Sequence, residues 1–349
     1  MSFDHSHYVP ILKAKAGEFW ALQNLKNSTR PLVTPLLELV RHDPKRHTFD
    51  SDLEKKVESL FESWGNAPLY FDVTHTVPKD TLPEAKSITV AFSQLRKHEM
   101  EATPVTRLGY SPKFQEAVKK IVDTDDAGLM VRLTAGDLAV KDKFALAISN
   151  LRNFFGLQES KIDLMLDYGF RHPDEYEDLI ERQRLHLAKI PNIHKWRSLM
   201  IASASFPDSI KGLPHAEWVH LDRTEWKAWE GVAFDKTTSR IPSYSDYGAK
   251  NPAPPGFGTP KPNLRYTVEA SYLCRRDDAK HIAMKAICKS LIKRSEYKGE
   301  EFSAGDKAIS VTAANQSSRG SGGGQQWTQW SANHHIEFVA TQIQNLPES

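Results

Sequence analysis

Eight short apolar runs, separated by longer stretches of helical periodicity, constrain this chain more than any other feature. The runs are YVPIL (8–12), LVTPLLELV (32–40), PLYFDV (68–73), TPVTRL (103–108), GLMVRL (128–133), IDLMLDYG (162–169), SLMIASAS (198–205) and IPSYSDYG (241–248). Between them lie amphipathic stretches such as SDLEKKVESLFESW (51–64) and SPKFQEAVKKIVD (111–123). In the latter, Phe114, Val118, Ile121 and Val122 recur at helical spacing opposite a lysine-rich face, the pattern of a helix covering a sheet. Apolar strands in such alternation predict parallel strands with helices on their outer side, since crossovers are right-handed. Eight units predict an α/β fold, a closed (β/α)8 TIM-like barrel. An open doubly wound sheet is the rival, but no GxGxxG follows the first run, as its dinucleotide-binding version requires.

After the eighth run the pattern changes. NPAPPGFGTPKPN (251–263) is a proline- and glycine-rich insertion, LRYTVEASYLCRR (264–276) reads as one further strand, and AKHIAMKAICKSLIKR (279–294) as a helix. The loop SSRGSGGGQQW (317–327) then leads to a last apolar segment, HHIEFVATQI (334–343). The expected organisation is a barrel over residues 1–251 and a C-terminal α+β extension, residues 252–349, packed on it.

Composition narrows the function classes. Lysine and arginine number 46 against 44 acidic residues, a net charge of +2, which speaks against a dominant nucleic-acid role. Lys289, Lys293, Arg294 and Lys298 read as a solvated helix face. Two cysteines, Cys274 and Cys288, exclude a disulfide framework and fit a reducing compartment. No apolar run approaches the ~18–20 residues of a membrane span, and the N-terminus lacks a signal-peptide core, so the cytoplasm is the expected location.

Side chains two apart share a strand face, and each run ends one such face in a polar residue. The eight are Lys13, Glu38, Asp72, Arg107, Arg132, Asp167, Ser205 and Asp246. In a barrel they converge on the C-terminal rim, where barrel enzymes keep their catalytic groups. Lys13, Glu38, Asp72 and Asp167 are the candidate catalytic residues. Arg107, Arg132, Ser205, Asp246, Tyr247 and, from the extension, Arg265 are candidate ligand contacts. Arginines and a lysine suit a phosphate or carboxylate, and the carboxylates suit base chemistry. Such a ring can equally pair with itself and plug the barrel.

Other patterns carry less. His5 and His7 precede the first strand, the wrong end for a barrel metal. His334 and His335 are neighbours that point apart, one expected to pack and the other to face out. No metal site or cofactor is named by the sequence. WVHLDRTEWKAW (218–229) reads as a helix burying Trp218, Trp226 and Trp229, while Trp327 and Trp330 read as anchors. No GxSxG elbow nominates a serine.

Four motifs in order, YVPILKAKAGE (8–18), PSYSDYG (242–248), NLRYT (263–267) and W-x-x-W-x-x-N-H-H ending at His335, resemble the phage "beta protein" family over nearly the whole chain. The resemblance implies a place in phages, satellite prophages or genomic islands. It also implies a role like that of the gop–beta–cII cassette, where the beta product counteracts the toxic gop product in phage defence. The expected partner is then a protein encoded in the same cassette, with an anionic small molecule at the rim as a second candidate. The family brings no catalytic residues to carry over. The competing expectation is a barrel enzyme acting on a nucleotide or phosphorylated metabolite. In it Lys13 polarises the substrate, Arg107 and Arg132 hold the anion, and Asp72 or Asp167 is the base.

Overall fold

The computed structural model describes residues 3–40, 48–76, 84–139, 144–253, 261–277, 282–315 and 322–346. Its strands are β1 (Tyr8–Lys13), β2 (Leu36–Glu38), β3 (Leu69–Asp72), β4 (Ala102–Thr106), β5 (Leu129–Thr134), β6 (Ile162–Phe170), β7 (Ser198–Ala204), β8 (Val219–Asp222), β9 (Ser243–Asp246), β10 (Asn263–Thr267) and β11 (Ser271–Arg276). Its helices are α1 (Ala16–Gln23), α2 (Phe49–Trp64), α3 (Ala85–Lys97), α4 (Pro112–Asp125), α5 (Ala135–Ala139), α6 (Phe144–Phe155), α7 (Tyr176–Ala188), α8 (Thr224–Ala233), α9 (Ile282–Leu291), α10 (Ala304–Ala314) and α11 (Gly324–Gln344). β1 through β7 and β9 close into a parallel barrel, with β9 pairing both β7 and β1. The chain folds as a (β/α)8 barrel.

Alternation along the strands sorts the side chains. Ile11, Leu36, Tyr70, Val105, Met130, Met165 and Met200 fill the barrel, while Leu12, Leu37, Phe71, Val131, Leu164 and Ile201 meet the helices outside. α4 shows why the helices form where they do. Ser111 accepts a hydrogen bond from the Phe114 amide at 3.3 Å, and Pro112 opens the first turn where no amide is needed. Phe114, Val118, Ile121 and Val122 are buried, each worth roughly 1.5–3 kcal/mol on full burial.

Beyond the barrel, β10, β11 and β8 make a three-stranded antiparallel sheet. Two expectations need correction here. LRYTVEASYLCRR is not one strand but a hairpin, closed by the Val268 amide on Ser271 O at 2.9 Å, with no glycine or proline to announce its turn. WVHLDRTEWKAW is a helix only from Thr224. Val219–Asp222 alternate in burial and pair with β11 as strand β8.

α11 joins the two parts. Ala332, Ile336, Val339 and Ile343 lie in the main core, and Trp327 and Trp330 lie in the second core with Leu264, Tyr266, Leu273 and Ile309. Glu337 accepts hydrogen bonds from the Lys26 amide at 2.6 Å and Thr29 Oγ1 at 2.5 Å, beside α1. α11, which lies beyond the division expected at residue 251, packs on α1 and β1 of the barrel as well as on β10 and α10. Residues 254–260 and 316–321, within the proline-rich and glycine-rich loops, lie outside the described residues. Among the described residues no helix is long and apolar enough to cross a membrane.

Candidate functional site

The inward faces of β1 to β6 end in Lys13, Glu38, Asp72, Arg107, Arg132 and Asp167, and the barrel brings all six together. Arg132 is the centre. Its Nη1 donates to Glu38 Oε1 at 2.8 Å and to Asp72 Oδ2 at 2.7 Å. Its Nε donates to Asp167 Oδ2 at 2.9 Å, and Nη2 reaches the same oxygen at 2.8 Å and the Tyr247 hydroxyl at 2.6 Å. Of an arginine's five N–H donors, four are hydrogen-bonded here, and Nη2 also ion-pairs with Asp167. Tyr247 completes the turn by donating to Asp167 Oδ2 at 2.7 Å.

The remaining carboxylate oxygens are taken as well. Glu38 Oε2 pairs with Lys13 Nζ, which also donates to Pro252 O at 3.2 Å, and His75 Nε2 stands 3.3 Å from Glu38 Oε1. Asp72 Oδ1 accepts from the Thr74 amide at 2.8 Å and from its hydroxyl, and Asp167 Oδ1 accepts from the Gly169 amide at 2.9 Å. Burial acts to raise the Glu38 carboxyl, but Lys13 and Arg132 outweigh it and hold the group well below the usual range. Asp72 is lowered too, with Arg107 and Arg132 overcoming the same burial. Arg132 is raised despite burial by Tyr247 and the three carboxylates around it.

Arg107 is held differently. Its Nη2 meets Asp72 Oδ2 only at 3.4 Å, its Nε is buried without a partner, and its side chain is 18% exposed. Among the ring's cations it is the least engaged.

The structure places three expected contacts elsewhere. Ser205 and Asp246 lie on the outward faces of their strand lines, since Ala204 and Tyr247 are the residues that enter the barrel. β7 carries serines on both faces, Ser198 and Ser203, and β9 has Ser243 and Ser245 on the inward face with Tyr244 outward, so polarity alone did not reveal the phase. Ser205 Oγ lies within hydrogen-bond reach of Glu225 Oε2 and, at 2.7 Å, of Asp222 O beside α8. Arg265 sits over the Phe206 ring at 4.5 Å and donates to Ala249 O at 2.7 Å, away from the ring of charges. The eight residues expected at the rim include three cations and four anions; without Asp246 the ring holds three of each.

Asp246 instead anchors a second buried network. Its carboxylate accepts from Tyr8 at 2.5 Å, Tyr244 at 2.9 Å and the Gly248 amide at 2.9 Å, and meets His335 Nε2 at 3.0 Å. His335 Nδ1 lies 2.7 Å from Thr267 Oγ1. His334 joins Asp306 at 2.8 Å to Thr267 O at 2.9 Å, and Asn333 binds Ala21 O, Asn24 O and the Gly305 amide. Neither histidine faces out, against expectation: they are 0% and 1% exposed. Asn333 thus ties α11 to α1 and α10, His334 to α10 and β10, and His335 to β9 and β10, because successive helical positions point about 100° apart. The signal was in the sequence as a run of polar residues inside an otherwise apolar segment. Among the described residues no group of three His, Cys, Asp or Glu side chains is arranged to hold a metal ion.

The sequence matches the family model described as Beta protein over residues 8–341. The chain belongs to the Beta protein family. The family's span includes both networks, from Tyr8 and Lys13 to His335 and Glu337. A comparison with curated proteins finds no match. Among solved structures, this family member is similar to a type I 3-dehydroquinate dehydratase from Clostridium difficile carrying covalently modified comenic acid. The two share 9% identity over 72% of this chain and 88% of that one, with a TM-score of 0.39. A GH138 enzyme targeting pectin rhamnogalacturonan II shares 10% identity over 71% and 43% of the two chains, with a TM-score of 0.38. A fungal beta-1,4-galactanase shares 10% over 69% and 89%, again at 0.38. Likenesses this remote say nothing of the chemistry.

Proposed function

We propose that the chain is the component of a phage-defence or toxin-control cassette that acts by holding a protein partner, as its family resemblance implies. One observation supports this above others: Arg132, 2% exposed, has all three guanidinium nitrogens engaged within the ring. Barrel enzymes keep rim groups open for substrate, whereas a rim whose central cation is spent suits a scaffold that works through its surface. Native mass spectrometry of the protein isolated from its own host, with neighbouring genes intact, tests the reading. A stoichiometric protein companion is expected; a bare chain in a functional host sinks it.

A second reading has Arg107 in its favour, the ring cation with a buried Nε and no close acceptor. Here the rim turns over an anionic small molecule such as a nucleotide or phosphorylated metabolite, with Asp72 or Asp167 as base and Lys13 polarising the substrate. Asp72→Asn separates the two. Lost function with folding and partner binding intact favours the enzyme, and unchanged function removes it.

A further inference from the structure

The end of the barrel opposite the charged ring carries a groove of about 750 Å³. Asp4, Ser160, His194, Lys195, Arg197 and Arg240 line it, all preceding the strands β1, β6, β7 and β9. Arg240 donates to Ile193 O at 2.8 Å, Trp196 O at 2.6 Å and Arg197 O at 3.3 Å. Carbonyl oxygens orient a guanidinium without cancelling its charge. With three of five donors used, its Nε–H and one Nη2–H meet no protein acceptor among the described residues. Lys195 is exposed and makes no ion pair among them. Arg197, by contrast, is offset by Asp163 at 2.7 Å. The carboxylate of Asp4 is turned to Ser6, whose amide and hydroxyl lie 2.9 and 2.6 Å away. Two cations without ion pairs among the described residues, Lys195 and Arg240, therefore face the groove against one lining carboxylate, Asp4, whose Oδ1 is engaged by Ser6.

A second groove, of about 440 Å³, shares Phe3 with the first. Phe3 stacks on His7 with ring centroids 4.2 Å apart, and burial lowers the His7 imidazole to about 4, so this wall is neutral and flat. Arg30 lies over the Trp64 ring at 4.3 Å, also held by carbonyls, Leu22 O and Ser63 O among them. An aromatic wall beside two cations that make no ion pair among the described residues suits a ligand that is planar at one end and phosphorylated at the other.

We propose that this face binds a nucleoside phosphate, its phosphates on Arg240 and Lys195 and its base against Phe3. The site is independent of the rim and of either reading of it. The test is calorimetric titration of the full chain with ATP and with inorganic pyrophosphate. Saturable ATP binding is expected, weakened at least about tenfold by Lys195→Ala and by Arg240→Gln. Phe3→Ala should weaken ATP and leave pyrophosphate unaffected. Arg240 also holds three carbonyls, so if Arg240→Gln does not fold, Lys195→Ala decides, since that side chain has no partner to lose. No saturation by ATP up to about 1 mM, or full affinity in Lys195→Ala, overturns the proposal. Equal binding of ATP and pyrophosphate with no effect of Phe3→Ala overturns the assignment of the base.

Discussion

The ring inside the barrel and the seam beneath α11 both bury carboxylates, and they satisfy them in different ways. In the ring one guanidinium serves three carboxylates, so the charges compensate one another and each depends on Arg132. In the seam Asp246 and Asp306 are separate, each surrounded by hydroxyls and an imidazole: Tyr8, Tyr244 and His335 around one, Tyr266, Ser303 and His334 around the other. The ring concentrates its stability in one residue, whereas the seam distributes it. Losing one partner from a buried ion pair costs about 3–5 kcal/mol, because the other charge stays buried. Losing one donor of several costs about 1–3 kcal/mol.

The largest effect should follow from Arg132→Met. It leaves Glu38, Asp72 and Asp167 without their shared cation, and a loss of at least about 3–5 kcal/mol in denaturant unfolding is expected, or failure to fold. A loss below about 1 kcal/mol would mean that the carboxylates neutralise cheaply and that the ring is not centred on Arg132.

His335→Leu should cost less, about 1–3 kcal/mol, since Asp246 keeps Tyr8, Tyr244 and Gly248 while Thr267 loses its partner. Acid then separates the two regions. Burial lowers the His335 imidazole from its ordinary 6.5. The unfolded chain therefore takes up that proton first, and stability begins to fall as pH drops through about 6.5. Glu38 and Asp72 are depressed from 4.5 and 3.8. Their contribution is complete above those values and is lost only as pH falls below them toward the folded-state values. A two-stage loss is expected in denaturant midpoints measured from pH 8 to 3; His7 and His186, also lowered by burial, share the upper stage, so His335→Leu should shrink it and leave the lower stage in place. An upper stage of equal size in both proteins would show that the seam does not titrate.

The barrel itself was legible because parallel strands buried on both faces must be continuously apolar, and eight such runs leave few topologies. Six rim residues were legible for the same reason: β1 to β6 each end one apolar face in a charge. Ser205 and Asp246 were misplaced where β7 carries serines on both faces and β9 puts serines inside and Tyr244 outside, so alternation of polarity misleads on the phase. The seam was hidden because Asn333, His334 and His335 act through residues far away in sequence, Asp246 and Thr267 among them, and helical periodicity cannot say what a buried polar residue meets. The β10–β11 turn lacked the residues that usually mark one.

The smallest expected effect sharpens the comparison most. Arg107 sits in the same ring as Arg132, yet its hydrogen bond to Asp72 is 3.4 Å long and its side chain 18% exposed. If compensation in the ring runs through Arg132, Arg107→Gln should cost no more than about 1 kcal/mol, the worth of a loosely held, partly solvated ion pair. Asp72 would keep Arg132 at 2.7 Å and Thr74 at 2.8 Å. Denaturant unfolding checks this at neutral pH. A cost near that of Arg132→Met would make both arginines structural and remove the observation favouring a rim that binds anions. A small cost accompanied by lost function in the host would leave Arg107 as the one ring cation held for something other than the fold.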